Sequence, residues 1–150
     1  MRTTAPPGGI QLVEAVVAAM SAGDPGALTD VLTDDFVDHD PMPNRAFGPS
    51  GRAELQAGIE ALGSLGADAR FDLLDGFASA DRVAYRLFGS WTVAPELIVR
   101  SSLAFRPLVT LEGVGIFLVR GGRLAERWGS WSLRVDGEPV SLTSEPGGRR

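Results

Sequence analysis

The densest group of ionisable side chains is Asp38-His39-Asp40, in the stretch FVDHDP. In an extended segment Asp38 and Asp40 share one face and His39 takes the other. One of the three turned into a pocket would act as an acid or a base. Histidine suits that work because its charge changes near neutral pH. A carboxyl group would hold a proton only if burial disfavoured its charged form. The plainer reading is a solvated turn in which an aspartate caps nearby backbone N–H groups. Tyr85, the one tyrosine, lies next to Arg86 in VAYRLF, and the two face opposite ways in a strand. In a pocket its hydroxyl could donate to a carbonyl and stabilise developing negative charge. In a core it is a ring with its hydroxyl at the rim. Arg86 is read as pairing with Glu126 or Glu112 across a sheet. In RLAERWGSWSL, Arg127, Gly129 and Trp131 fall on one face of a strand, and Glu126, Trp128 and Ser130 on the other. A bulge at Gly129 would bring both rings to one side.

These groups need elements to hold them. IQLVEAVVAAM has helical apolar spacing, closed by Gly23. Asp24 and Pro25 then open a second helix, PGALTDVLTDD. FVDHD is a short extended segment ended by Pro41 and Pro43. Ser50 is read as the cap of a third helix, with Leu55, Ile59 and Leu62 on one face and Gly63 and Gly66 at its end. From ARFDLLDGFASA onward the pattern is that of strands, with an Asp81-Arg82 turn and a hairpin at FLVR-GG-RLAE. Residues 1–9 read as a disordered lead, 10–136 as one domain and 137–150 as a flexible tail. Three helices followed by four or so mostly antiparallel strands predict an α+β fold able to enclose a pocket.

Composition narrows the chemistry. There is no cysteine, so disulfides and thiolate chemistry are excluded, and one histidine makes a metal site improbable. Asp-His-Asp lacks a further ligand at suitable spacing, so we expect no metal and no cofactor. All 14 basic residues are arginine and the net charge is −5. The arginines are scattered, so a nucleic-acid partner is not expected. No apolar run approaches ~18 residues, so no membrane span is expected. We read the chain as cytoplasmic.

FVDHDP, SGRAELQAGIEAL, DRVAYRLFGSWT and GVGIFLVRGGRLAERWGSW, in that order, resemble the SnoaL-like polyketide-cyclase branch of the NTF2-like superfamily, over roughly residues 10 to 135. The resemblance implies a cone-shaped α+β barrel, three helices packed on a curved sheet, an apolar pocket between them, and a homodimer. It places pocket residues at Asp38, His39 and Asp40. It also makes Gly129 a position where an acid can face the cavity, which would turn Arg127 and Trp131 inward and Trp128 outward. The chain departs from the family at three points. Trp91 stands where the family often has a histidine, Arg127 replaces the histidine of Glu-His-Trp, and the following aspartate is missing. With Phe36, Met42, Phe88 and Phe117 as further lining, the implied pocket is mostly aromatic.

An aromatic pocket with few ionisable groups suits a long apolar substrate. The predicted function is a ring-forming cyclase of polyketide-type biosynthesis, closing a folded linear intermediate by a pericyclic, Diels–Alder-type step. Proximity alone can lower such a barrier by up to roughly 7–11 kcal/mol in ideal cases. Two alternatives stand beside it. One is an acid/base cyclase, isomerase or epoxide hydrolase built on Asp38, His39 or Asp40. The other is a small-molecule-binding module without catalysis.

Overall fold

A computed structural model describes residues 8–41, 49–64, 68–92 and 107–140. The expectations for Met42, Pro43, Gly66, the segment 93–106 and the ends of the chain lie outside these residues. Helix α1 (Gly9–Ala22) buries Leu12, Val13, Val16, Val17, Ala19 and Met20. This is one continuous stripe at helical spacing, and burial of each large side chain stabilises the fold by about 1.5–3 kcal/mol. Gly23 ends it with φ 61, and its N–H reaches back to the carbonyls of Ala19 and Met20.

The second expected helix is only one 3-10 turn, Pro25–Leu28, with Asp24 accepting from the Gly26 N–H. Pro25 and Gly26 start the turn but cannot sustain a longer helix, and the apolar residues that follow enter strand β1 (Leu32–Asp38) instead. Ser50 belongs to the short strand β2 (Ser50–Gly51). Gly51 is therefore the residue that caps α2 (Arg52–Gly63), and Glu54 accepts from the Gly51 N–H at 3.0 Å. The described residues thus contain two α-helices rather than three.

The remaining strands are β3 (Arg70–Ser79), β4 (Arg82–Thr92), β5 (Leu108–Arg120), β6 (Arg123–Val135) and β7 (Glu138–Val140). They make one open seven-stranded sheet in the order β2-β1-β6-β5-β4-β3, with β7 also on β6. Pairing is antiparallel except between β1 and β6, which run parallel. Gly121 and Gly122, at φ 59 and 75, form the two-residue turn that joins β5 to β6.

The β5–β6 register slips between Leu118 and Val119, where Ala125 of β6 is left without a partner. The bulge is therefore at Ala125 and not at Gly129. Leu124 and Ala125 are both buried. One extra residue reverses the alternation that follows. Arg127, Gly129 and Trp131 consequently face the helices, while Glu126, Trp128 and Ser130 face away. The core lies between α1, α2 and this inner face, and includes Phe36, Tyr85, Leu111 and Phe117.

Candidate functional site

Adjacent strands carry the inner-face residues in successive rungs. Val83, Phe117 and Arg127 form the deepest, Tyr85, Gly115 and Gly129 the next, and Leu87, Gly113 and Trp131 the third. Asp38 pairs beside Arg127 across the parallel β1–β6 ladder. Asp38 is 1% exposed and Arg127 6%. The Arg127 guanidinium donates through Nη2 to Asp38 Oδ2. The Tyr85 hydroxyl lies near enough for the two groups to act on each other's charge. Trp131 lies over it, with the guanidinium carbon 5.1 Å from the ring centroid. Among the described residues, Arg127 Nε–H is buried and has no hydrogen-bond partner.

Three glycines make this packing feasible. A Cβ on Gly113 would sit 2.0 Å from the Trp131 ring, and one on Gly115 would sit 2.5 Å from the Tyr85 oxygen. A Cβ on Gly129 would meet Trp131 at 3.0 Å. A glycine inside a strand marks a close approach of this kind. The GVG of Gly113-Val114-Gly115 carried that signal, which the sequence reading passed over.

Burial removes water from the Tyr85 hydroxyl and raises its pKa. The negative charge of Asp38 pushes the same way, and Arg127 opposes both. For Arg127 burial works against the charged form, but Tyr85 and Asp38 outweigh it and the net direction is upward. The phenol therefore stays protonated beside a guanidinium that stays charged.

The other predicted site residues distribute as follows. Phe36 and Phe117 are buried core rings 6.4 Å apart, and Phe117 stacks on Tyr85 at 5.1 Å. Trp91 is half-buried against Phe71 at 6.0 Å, on the same face as Tyr85. Phe88 faces away from the helices. Asp40 is half-buried; its Oδ2 accepts from the Gly129 N–H at 3.0 Å and its carbonyl from Trp131 Nε1 at 3.2 Å. His39 is on the opposite face. It stacks on Trp128 at 4.7 Å, and its Nε2 is 2.8 Å from Glu126 Oε2. Arg86 pairs with Asp75 rather than with Glu126 or Glu112, because a bulge at Leu74 brings Asp75 opposite it. Asp38, Tyr85, Arg127, Gly129 and Trp131 are thus gathered on one face, Asp40 is bonded to Gly129 and Trp131 but lines a cavity of the opposite face, and His39 is set apart.

Among the described residues two cavities open on the outer face. The larger, about 610 Å³, is lined by Phe77, Ala84, Val114, Ile116 and Trp128, with Tyr85, Gly115 and Gly129 as its floor. A smaller one of about 250 Å³ adjoins it at Leu74, Glu112 and Ser132. On the inner face Tyr85 and Trp131 fill the room left by the glycines. Among the described residues no group of three or more acidic or histidine ligands gathers, and no helix is long and apolar enough to cross a membrane.

A comparison with curated protein sequences finds no match. The fold, however, is shared. TsrD from Streptomyces laurentii is 23% identical, with a TM-score of 0.63 over 81% of this chain and 86% of that one. IdmH from Streptomyces antibioticus, provisionally a polyketide cyclase, is 21% identical, with a TM-score of 0.65 over 81% of this chain and 90% of that one. An LEH-like epoxide hydrolase of M. tuberculosis is 19% identical, with a TM-score of 0.56 over 80% of this chain and 79% of that one. The model of the SnoaL-like domain matches residues 13–127. With that match over most of its length, and with helices packed on an open curved sheet of the NTF2-like kind, the chain belongs to the SnoaL-like family.

Proposed function

We propose that the protein is a ring-forming cyclase of polyketide-type biosynthesis which works by positioning and by hydrogen-bond activation of a carbonyl. The observation that carries this reading is the buried Asp38–Arg127 pair beside Tyr85 and beneath Trp131. The positive charge of Arg127 beside Tyr85 polarises the phenol and makes its hydrogen a better donor. A carbonyl conjugated to the reacting double bonds gains electron density as the ring closes, and Tyr85 would stabilise that charge. In a 4+2 closure two carbon–carbon bonds form from π electrons, so no proton transfer, leaving group or cofactor is needed. The similarity in fold to polyketide cyclases supports the substrate class.

The test is incubation with a linear polyene bearing a conjugated carbonyl, with product followed by mass spectrometry. The protein should exceed the spontaneous rate, and Tyr85→Phe should lower kcat about 100-fold, as loss of one such donor does. The profile should be flat through neutral pH. An unchanged spontaneous rate would reject the proposal.

A second reading, acid/base catalysis, is favoured by Asp40, which is half-buried beside Gly129 and lines the larger cavity. It requires a sigmoidal or bell-shaped pH–rate profile. His39 is less suited to that work, since the sheet separates it from Tyr85.

We also propose a homodimer formed through the outer face. Phe77 is 70% exposed there, and Leu74, Val114 and Ile116 are exposed around it. Such a contiguous apolar area points to an interface. Phe77→Ser should lower the assembled fraction in sedimentation at micromolar concentration, and an unchanged fraction would count against this face.

A further inference from the structure

The larger outer cavity has a direction. It takes three consecutive residues from each of β3, β4, β5 and β6, so it runs across the strands. Strands lie ~4.8 Å apart, which makes this trough roughly 14 Å long. One wall is the rung of Phe77, Ala84, Ile116 and Trp128, apolar throughout. The next rung holds Gly76, Gly115 and Gly129, with the Tyr85 ring turned to the helices, so the floor is backbone. A volume of about 610 Å³ is that of a small-molecule site.

The charges in the trough are unequal. On the wall facing the apolar rung, Arg86 is matched by Asp75 at 3.1 Å. At the β6 end stands Asp40, half-buried, with Oδ2 on the Gly129 N–H at 3.0 Å. A carboxylate accepts several donors at once, so this bond does not keep it from receiving another. The adjoining smaller cavity shares Arg86 and adds Glu112. Among the described residues that line the two cavities, Asp40, Asp75 and Glu112 stand against Arg86 alone. An anion laid here would be repelled, and an ammonium would offset the excess.

We propose that this trough binds an elongated primary amine. The apolar chain lies along Phe77, Ile116 and Trp128, and the ammonium donates to Asp40. The site is on the opposite side of the sheet from the Asp38–Arg127 pair, so it does not rest on the cyclase reading.

The test uses three chains of matched length: octylamine, octanol and octanoate. They are titrated calorimetrically into the full-length protein at neutral pH, where the first is a cation and the last an anion. A second copy packed on this face would contend with the chain, so the protein is kept dilute enough to sediment as a monomer. The wild type should bind octylamine at least tenfold more tightly than octanoate, with octanol between them. Asp40→Asn keeps an acceptor for the Gly129 N–H and removes the charge, so it should bring octylamine down to the affinity of octanol. Glu60→Gln is an equal change of charge at an exposed position of α2 and should leave the ratios where they were. Ile116→Ser should weaken all three probes severalfold, which locates them on the apolar wall.

A wild type that binds octanoate as tightly as octylamine, or binds none of the three, overturns the proposal, even if Asp40→Asn fails to fold. So do ratios that Asp40→Asn leaves unmoved, ratios that Glu60→Gln shifts as far, or binding that ignores Ile116→Ser. A protein with the predicted ratios but no ring-closing activity would uphold the amine site and reject the cyclase.

Discussion

Two hydrogen-bonded side-chain pairs lie one residue apart across the same parallel ladder. Asp38–Arg127 faces the helices and is almost wholly buried. His39–Glu126 faces away, with its side chains 34% and 30% exposed. Both join the end of β1 to the same part of β6. They differ in what a broken pair would leave behind. On the inner face a lost partner strands a charge without water. On the outer face solvent takes the partner's place, and Trp128 still stacks on the imidazole. Position relative to the sheet, rather than residue type, decides which pair can do chemistry.

Breaking the inner pair should give the largest effect. Arg127→Met leaves Asp38 buried and unmatched, and should cost about 3–5 kcal/mol in denaturant unfolding. Pairing it with Asp38→Leu should recover most of that loss. Glu126→Gln on the outer face should cost no more than about 1 kcal/mol after solvent screening. Comparable losses from Arg127→Met and Glu126→Gln would erase the distinction.

The glycine seat comes next. Gly113→Ala forces its methyl into the Trp131 ring and should destabilise by about 1–3 kcal/mol. It should also shift the indole fluorescence as Trp131 leaves Arg127. Alanine at Val114, on the exposed face, should leave that signal unchanged.

The smallest effect appears only in alkali. Tyr85 is the sole tyrosine, so phenolate absorbance reports on it alone. Its folded pKa is raised above the ordinary 10.0. The native state therefore holds this proton more tightly than the unfolded chain. The resulting stability is complete below the unfolded value and is lost as pH rises toward the folded one. Tyr85 should ionise late, together with alkaline unfolding. Ionisation at the ordinary value in intact protein would mean an exposed ring.

The local alternation was legible in the sequence, and the pairings were not. Period-2 spacing separated Asp38 and Asp40 from His39, and Arg127 and Trp131 from Trp128. The Gly121–Gly122 hairpin was equally plain, because two-residue turns demand such residues. The bond from Arg127 to Asp38 spans 89 positions and depends on β1 running parallel to β6, which no local signal encodes. The second helix was overread because TDVLTDD keeps helical spacing while packing draws Leu32 and Phe36 into a strand. The partner of Arg86 was missed because the bulge at Leu74 shifts the count by one.

The unpaired Ala125 has a consequence for anyone editing this chain. Removing that single residue would only close the bulge, since Leu124 still meets Val119 and Glu126 still meets Leu118, and Arg127 and Trp131 keep to the helix side. Removing a paired residue such as Ser130 would instead act on β6 as a frameshift acts on a message, turning Trp131 and the side chains after it to the other side of the sheet.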